Sequence, residues 1–205
     1  MADKRTPRYL DYAGVAVAVV TQNRDPDGLA RVTVRFPWYE NPNENYWARL
    51  AVPMAGQGQG TYFLPEIGQE VLVAFDRGDV RFPYVVGALW NGKEGPPTTN
   101  SDGKNDRRLI QSRKGHWLLF DDGNKGLVEL KLQDGKRLAI DDDGIRLDDG
   151  QGNSFRIDSK SGALDIKASG QLSIKAQTIT IEAAATLEIK SGATMTIRGS
   201  LVQIN

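Results

Sequence analysis

Few of the residue types that usually carry catalysis are present. The 205-residue chain has one histidine, His116, and no cysteine. That excludes a disulfide framework, a thiolate metal site and a cysteine nucleophile, and nearly removes the commonest general base. His116 precedes Trp117; three copies around a symmetry axis could hold a metal, but a surface or packing role is the favoured reading. The runs Asp121-Asp122, Asp141-Asp142-Asp143 and Asp148-Asp149 are each followed by glycine. Calcium is conceivable at such carboxylates, yet the spacing matches no calcium loop and instead reads as solvated turns. Glycosidase chemistry needs two placed carboxylates, and here paired acids occur only in those turns. No serine, aspartate or glutamate has a partner base. Trp38, Tyr39, Trp47, Tyr62 and Phe63 could stack on bases. However, 26 basic residues against 26 acidic ones leave no net charge, so the cationic excess of a nucleic-acid binder is missing. These rings are assigned to core packing and contacts between copies. No catalytic residue, metal or cofactor is expected.

The elements that would position any site are short strands. Hydrophobic residues make up 40% of the chain and charged ones 25%, within the globular range. No apolar run approaches the roughly 18 residues of a membrane-spanning helix. Met1–Asp11 lacks the apolar centre of a signal peptide, so synthesis in the cytoplasm is expected, with any export by another route. Segments 14–23, 29–36, 47–52, 70–75 and 83–89 alternate or are valine-rich, as strands are. The turn Asp25-Pro26-Asp27-Gly28 separates the first two. Five strands in about ninety residues predict a small closed barrel of the OB type over 1–92. Polar, glycine- and proline-bearing residues follow and predict a neck over 93–115.

From 116 to 205 the sequence repeats. Apolar pairs at period two recur at Leu130/Leu132, Leu138/Ile140, Ile145/Leu147, Phe155/Ile157 and Leu164/Ile166. They continue as Leu172/Ile174, Ile179/Ile181, Leu187/Ile189, Met195/Ile197 and Val202/Ile204, the first members from Leu164 onward stepping by 8, 7, 8, 8 and 7 residues. Polar residues such as Asp165, Lys175, Glu188 and Arg198 fill the outward alternates. Such units are too short to close a single-chain coil and would leave apolar faces and strand edges bare. Three chains wound about one axis would cover both, each strand pairing with a neighbour's. The fold predicted is therefore all-β: an N-terminal OB-fold barrel followed by an intertwined homotrimeric triple-stranded β-helix. About ten strands at ~4.8 Å per step give a prism of very roughly 50 Å. Its expected core is Leu164, Ile166, Leu172, Ile174, Ile179, Ile181, Leu187, Ile189, Met195 and Ile197. The run Ala183-Ala184-Ala185 favours helix by propensity, but its register assigns it to a close-packed corner.

The N-terminal half resembles the OB-fold domain of the VgrG and phage baseplate assembly protein V family. The matching words are Arg31–Trp38 (RVTVRFPW), Trp47–Phe75 (WARLAVPMAGQGQGTYFLPEIGQEVLVAF) and Gly78–Pro97 (GDVRFPYVVGALWNGKEGPP). The repetitive tail looks like the spike that follows in that family. The resemblance implies a homotrimeric, non-enzymatic spike at the tip of a contractile injection machine, whether phage tail, type VI secretion system or extracellular particle, driven through a target membrane. VgrG places a hub domain before the OB fold; its absence here implies a separate baseplate hub protein. Some phage spikes insert a lysozyme domain where only the neck lies, so no lytic activity is expected. Some end in a His-x-His apex that binds iron. The residues Leu201, Val202, Gln203, Ile204 and Asn205 hold no histidine, which looks more like the spikes capped by a PAAR-type tip protein. The rival readings are a single-chain β-helix enzyme acting on carbohydrate or acyl groups, and an OB-fold nucleic-acid module on a trimeric stalk.

Overall fold

The computed structural model describes residues 14–38 and 45–204, and its regular structure is entirely β. Met1–Asp11 and two of the singled-out residues, Tyr39 and Asn205, lie outside the described residues. The chain forms two compact units that divide between Ser101 and Asp102. No helix of the described residues is long and apolar enough to cross a membrane.

The first unit is a closed five-stranded barrel. Its strands are β1 (Val15–Gln22), β2 (Val32–Arg35), β3 (Tyr46–Leu50), β6 (Glu70–Asp76) and β7 (Asp79–Ala88), in the order β1-β2-β3-β7-β6. Neighbours are antiparallel except β3 and β7, whose parallel pairing closes the ring. This arrangement is consistent with the predicted OB fold. The alternation seen in the sequence is the cause: Ala18, Val20, Val32, Val34, Val71, Val73 and Val85 point inward and are fully or almost fully buried. Burying one such side chain contributes about 1.5–3 kcal/mol. Phe36 closes one part of the core, its ring 5.3–5.8 Å from those of Trp38, Tyr46 and Phe75. A two-stranded ribbon, β4 (Ala55–Gly56) with β5 (Gln59–Gly60), stands in the glycine-rich loop.

The second unit is a seven-stranded antiparallel meander. It runs β8 (Arg107–Gln111), β9 (Trp117–Asp121), β10 (Leu127–Lys131), β11 (Arg137–Asp141), β12 (Gly144–Asp148), β13 (Ser154–Asp158) and β14 (Leu164–Lys167), each paired with the next. Two features differ from expectation. Strand β8 occupies part of the stretch predicted as neck, because Arg107–Gln111 pairs residue by residue with β9. And up to Lys167 the strands pair within one chain, not with a neighbour's strand. The reason lies in the connectors: five of the six carry a glycine with positive φ, among them Gly115, Gly135 and Gly162, and the sixth, Asp142-Asp143, runs into Gly144, whose φ is positive too, so the chain can reverse tightly. Beyond Lys167 no strand is assigned among the described residues. Ala183–Ala185 is not helical; a bend falls there.

Candidate assembly surface

The register of the meander sorts its side chains onto two faces. One face carries two columns. The first runs Ile110, Leu118, Leu130, Leu138, Leu147, Phe155 and Ile166; the second runs Arg108, Phe120, Val128, Ile140, Ile145, Ile157 and Leu164. Each residue stands directly opposite the next across the strands, the closest side-chain contact a sheet offers. Thirteen of these fourteen positions are large and apolar. Arg108 is the exception, and its guanidinium donates to Asp122 (2.7 Å) and to the Asn105 carbonyl (3.1 Å).

The opposite face is mostly polar, its charged side chains standing among Leu109, Leu119 and Leu127. Glu129 accepts a bond from Trp117 Nε1 (2.9 Å) and lies 3.7 Å from the Arg137 guanidinium. Lys131 Nζ sits 5.1 Å from the Trp117 ring centre. Under these long side chains Glu129 and Ala139 are buried. The apolar face has no such cover: Leu130, Leu147, Leu164 and Ile166 are each more than half exposed. A concave groove of about 490 Å³ follows its Leu130–Leu138–Leu147–Phe155 stretch. A contiguous apolar face on a sheet marks an interaction surface.

Of the expected core residues, the structure brings Leu164 and Ile166 together with Ile157 and Phe155 on this face. Leu172, Ile174, Ile179, Ile181, Leu187, Ile189, Met195 and Ile197 lie beyond the last strand and are exposed, from 47% at Met195 to 67% at Ile197. Within the chain nothing gathers them. Leu201, Val202, Gln203 and Ile204 are likewise exposed. Sequence reasoning missed Ile110, Leu118, Phe120 and Val128. Ile110 fell in the predicted neck. In WLLFD four consecutive apolar residues blur the alternation, and in the Leu127–Lys131 strand the face residues are Val128 and Leu130, not Leu130 and Leu132.

The residues weighed for other chemistry are engaged locally. His116 Nδ1 accepts the Gln133 backbone N–H (3.1 Å), a turn contact. Asp121 Oδ1 accepts from the Gly123 amide, Asp141 Oδ1 from those of Asp143 and Gly144, and Asp149 Oδ1 from those of Gln151 and Asn153. These are Asx turns. Such bonds hold the carboxyls of Asp121 and Asp149 below their ordinary range, helped by Arg107 at the first and led by the Asn153 side chain at the second. No group of three metal-ligating side chains occurs among the described residues. Trp38 packs on Phe36 and Trp47 lies under the Arg31 guanidinium (5.1 Å), while Tyr62 and Phe63 are exposed.

In the barrel, the turn at Asp25 is the most densely bonded site. Its carboxylate accepts the backbone N–H of Asp27, Leu29 and Arg31 at 3.0–3.1 Å, and the Arg31 guanidinium at 2.9 and 2.7 Å. The Arg31 side-chain bonds, aided by the backbone amides, hold Asp25 well below the usual carboxylate range despite its burial.

Comparison with known proteins places the barrel. Residues 16–90 match the family model described as the type VI secretion system/phage-baseplate injector OB domain. The spike protein VgrG1a of Pseudomonas aeruginosa is 36% identical over 75 residues, which is 35% of this chain and 12% of that protein. VgrG4b of the same organism is 31% identical over 138 residues, 63% of this chain and 16% of the relative. That share exceeds either unit alone, so the likeness reaches into both. A Vibrio cholerae protein named actin cross-linking toxin VgrG1 is 38% identical over 77 residues, 36% of this chain and 7% of its own length. The chain thus spans less than a fifth of the length of these curated relatives.

Proposed function

We propose, for a chain whose barrel belongs to the type VI secretion system/phage-baseplate injector OB family, that it is the membrane-piercing spike of a contractile injection system and works as a homotrimer without enzymatic activity. The observation that carries this is the bare two-column apolar face of β8–β14, continued by the exposed apolar repeat from Leu172 to Ile204. A lone chain would leave all of it in water. Three copies turned inward would bury it and keep the charged face outside.

The mechanism is mechanical. An apolar-cored, charge-coated needle transmits force when the machine contracts, and the barrels join it to a baseplate hub. The exposed residues Leu201, Val202, Gln203 and Ile204 are the surface offered to a PAAR-type tip protein; Asn205, which belongs to the same reading, lies outside the described residues. Contact with the target membrane is transient, and no nucleic acid is involved.

Light scattering of the purified full chain, beside an unheated SDS gel, tests this. The expected mass is about 67.5 kDa, three copies of the 22.5 kDa chain, surviving in SDS until heated. A species of 22.5 kDa at micromolar concentration would remove the trimer and, with it, the needle.

A further inference from the structure

We propose that Asn91 is a self-modifying site: in the folded chain its side-chain amide reacts with the Gly92 backbone nitrogen, loses ammonia and is converted by water to aspartate or isoaspartate. This goes beyond the spike reading and holds whatever the number of copies.

The dipeptide Asn-Gly occurs once in the sequence. Every other described asparagine is followed by a residue with a side chain, from Arg24 after Asn23 to Ser154 after Asn153. A following Cβ crowds the approach of the backbone nitrogen and narrows the conformations the peptide can sample. Glycine removes both obstacles.

The surroundings leave the reaction open. Asn91 and Gly92 lie past the end of β7 and in no strand. The last barrel bond before them runs from the Leu89 N–H to the Glu70 carbonyl (3.0 Å). Gly92 is exposed, its φ lies outside the left-handed region, and nothing stands within 4 Å of where a Cβ would be. No described group accepts its N–H. The nucleophile is therefore solvated and can give its proton to hydroxide. Ser154, by contrast, is held in β13 opposite Asp148 and Lys167.

The electrophile is held in place. Asn91 Oδ1 accepts the amides of both Lys93 and Glu94 at 2.8 Å, and the Asn91 N–H donates to the Glu94 carbonyl at 3.0 Å. Two N–H groups thus stand at the oxygen where negative charge gathers when a nucleophile adds to Cγ. They bind that charge more strongly than they bind the neutral amide.

The chemistry closes with water alone. The deprotonated Gly92 nitrogen bonds to Cγ. The Cγ–Nδ2 bond then breaks, and Nδ2 takes a proton from water and leaves as ammonia. A second water opens the cyclic imide. Opening at Cγ leaves aspartate on the original main chain. Opening at the Asn91 backbone carbonyl carbon leaves isoaspartate, whose main chain is longer by a methylene. Either product adds one negative charge. They differ in the turn: an aspartate carboxylate accepts the Lys93 and Glu94 amides more strongly than the amide oxygen did. Isoaspartate takes the accepting group into the main chain and undoes the turn by which the chain leaves the barrel.

Peptide mapping of the folded full chain, incubated in slightly alkaline buffer, tests this. The expected result is the mass gain of NH exchanged for O at Asn91, ahead of every other asparagine, as two separable products of equal mass. Its rate should rise with pH. Isomerisation at the Asp-Gly sites leaves the mass unchanged and does not interfere. Gly92→Ala, whose methyl meets no neighbour, should keep the fold and slow the gain roughly tenfold or more. A gain at Asn91 that appears only when the chain is unfolded in urea would show that the fold protects the site, and would overturn the proposal. So would an earlier gain at another asparagine, or equal rates in wild type and Gly92→Ala.

Discussion

Asp25 shows how much a single carboxylate can organise. It pins a turn that leaves β1 and returns into β2, using three backbone amides and one guanidinium. Because Arg31 also lies over Trp47 on β3, the same contact ties three barrel strands. The charged carboxylate is favoured in the folded state, so its folded pKa lies below the value of about 3.9 in an unfolded chain. Above that value both states are ionised and the contribution is complete. As pH falls, the unfolded state takes up its proton first, and the contribution is lost progressively down to the folded pKa. Asp25→Asn should therefore lower the melting temperature by several degrees at pH 7. The difference from wild type should narrow between about pH 5 and pH 2. Calorimetry across that range checks it; a constant difference at every pH would mean that only the neutral hydrogen bonds matter.

At the scale of elements, the decisive feature is the tight reversal between strands. Gly144 opens β12 with φ of 141° and is buried, and a Cβ there would lie 1.9 Å from the Ile157 carbonyl oxygen on β13. That atom is backbone and cannot turn aside. Gly144→Ala should cost about 3 kcal/mol and loosen β11 to β13. The check is amide exchange: faster exchange over 137–158 than in wild type, with the barrel unchanged. The barrel itself was legible in the sequence because strands such as Leu29–Phe36 alternate cleanly and one face must be buried. The apolar pairs of β11 to β14 were legible for the same reason. Pairing partners were not. A period of two says which way a side chain points, but not whether the neighbouring strand belongs to the same chain. That is decided by φ at the corners, and a glycine in the sequence does not reveal the sign of its φ. Asp25 went unread as well, since Asp-Pro-Asp-Gly signals a turn but not that its acid reaches Arg31.

For the whole molecule, the proposed trimer would draw its specificity from alternation. Ile174 and Ile189 are read as facing the proposed three-fold axis, and Lys175 and Glu188, one residue away in each repeat, as facing water. Both kinds are exposed in the single chain, so only assembly can distinguish them. Placing a carboxylate at an inward position buries three like charges in one ring, with no partner for any of them. Each unpaired buried charge costs on the order of 3–5 kcal/mol, so one substitution is enough. Ile174→Asp or Ile189→Asp alone should abolish the trimer in light scattering and in the unheated gel. Lys175→Ala or Glu188→Ala should leave the mass unchanged, because a surface charge contributes at most about 1 kcal/mol. The contrast between adjacent positions makes this sharper than the loss of a trimer alone. A general weakening of the tail would affect neighbours alike, whereas an inward-facing β-strand must alternate between tolerance and failure. Trimers from the Ile variants, or failure of the Lys175 and Glu188 variants, would place the axis on the other face of the repeat.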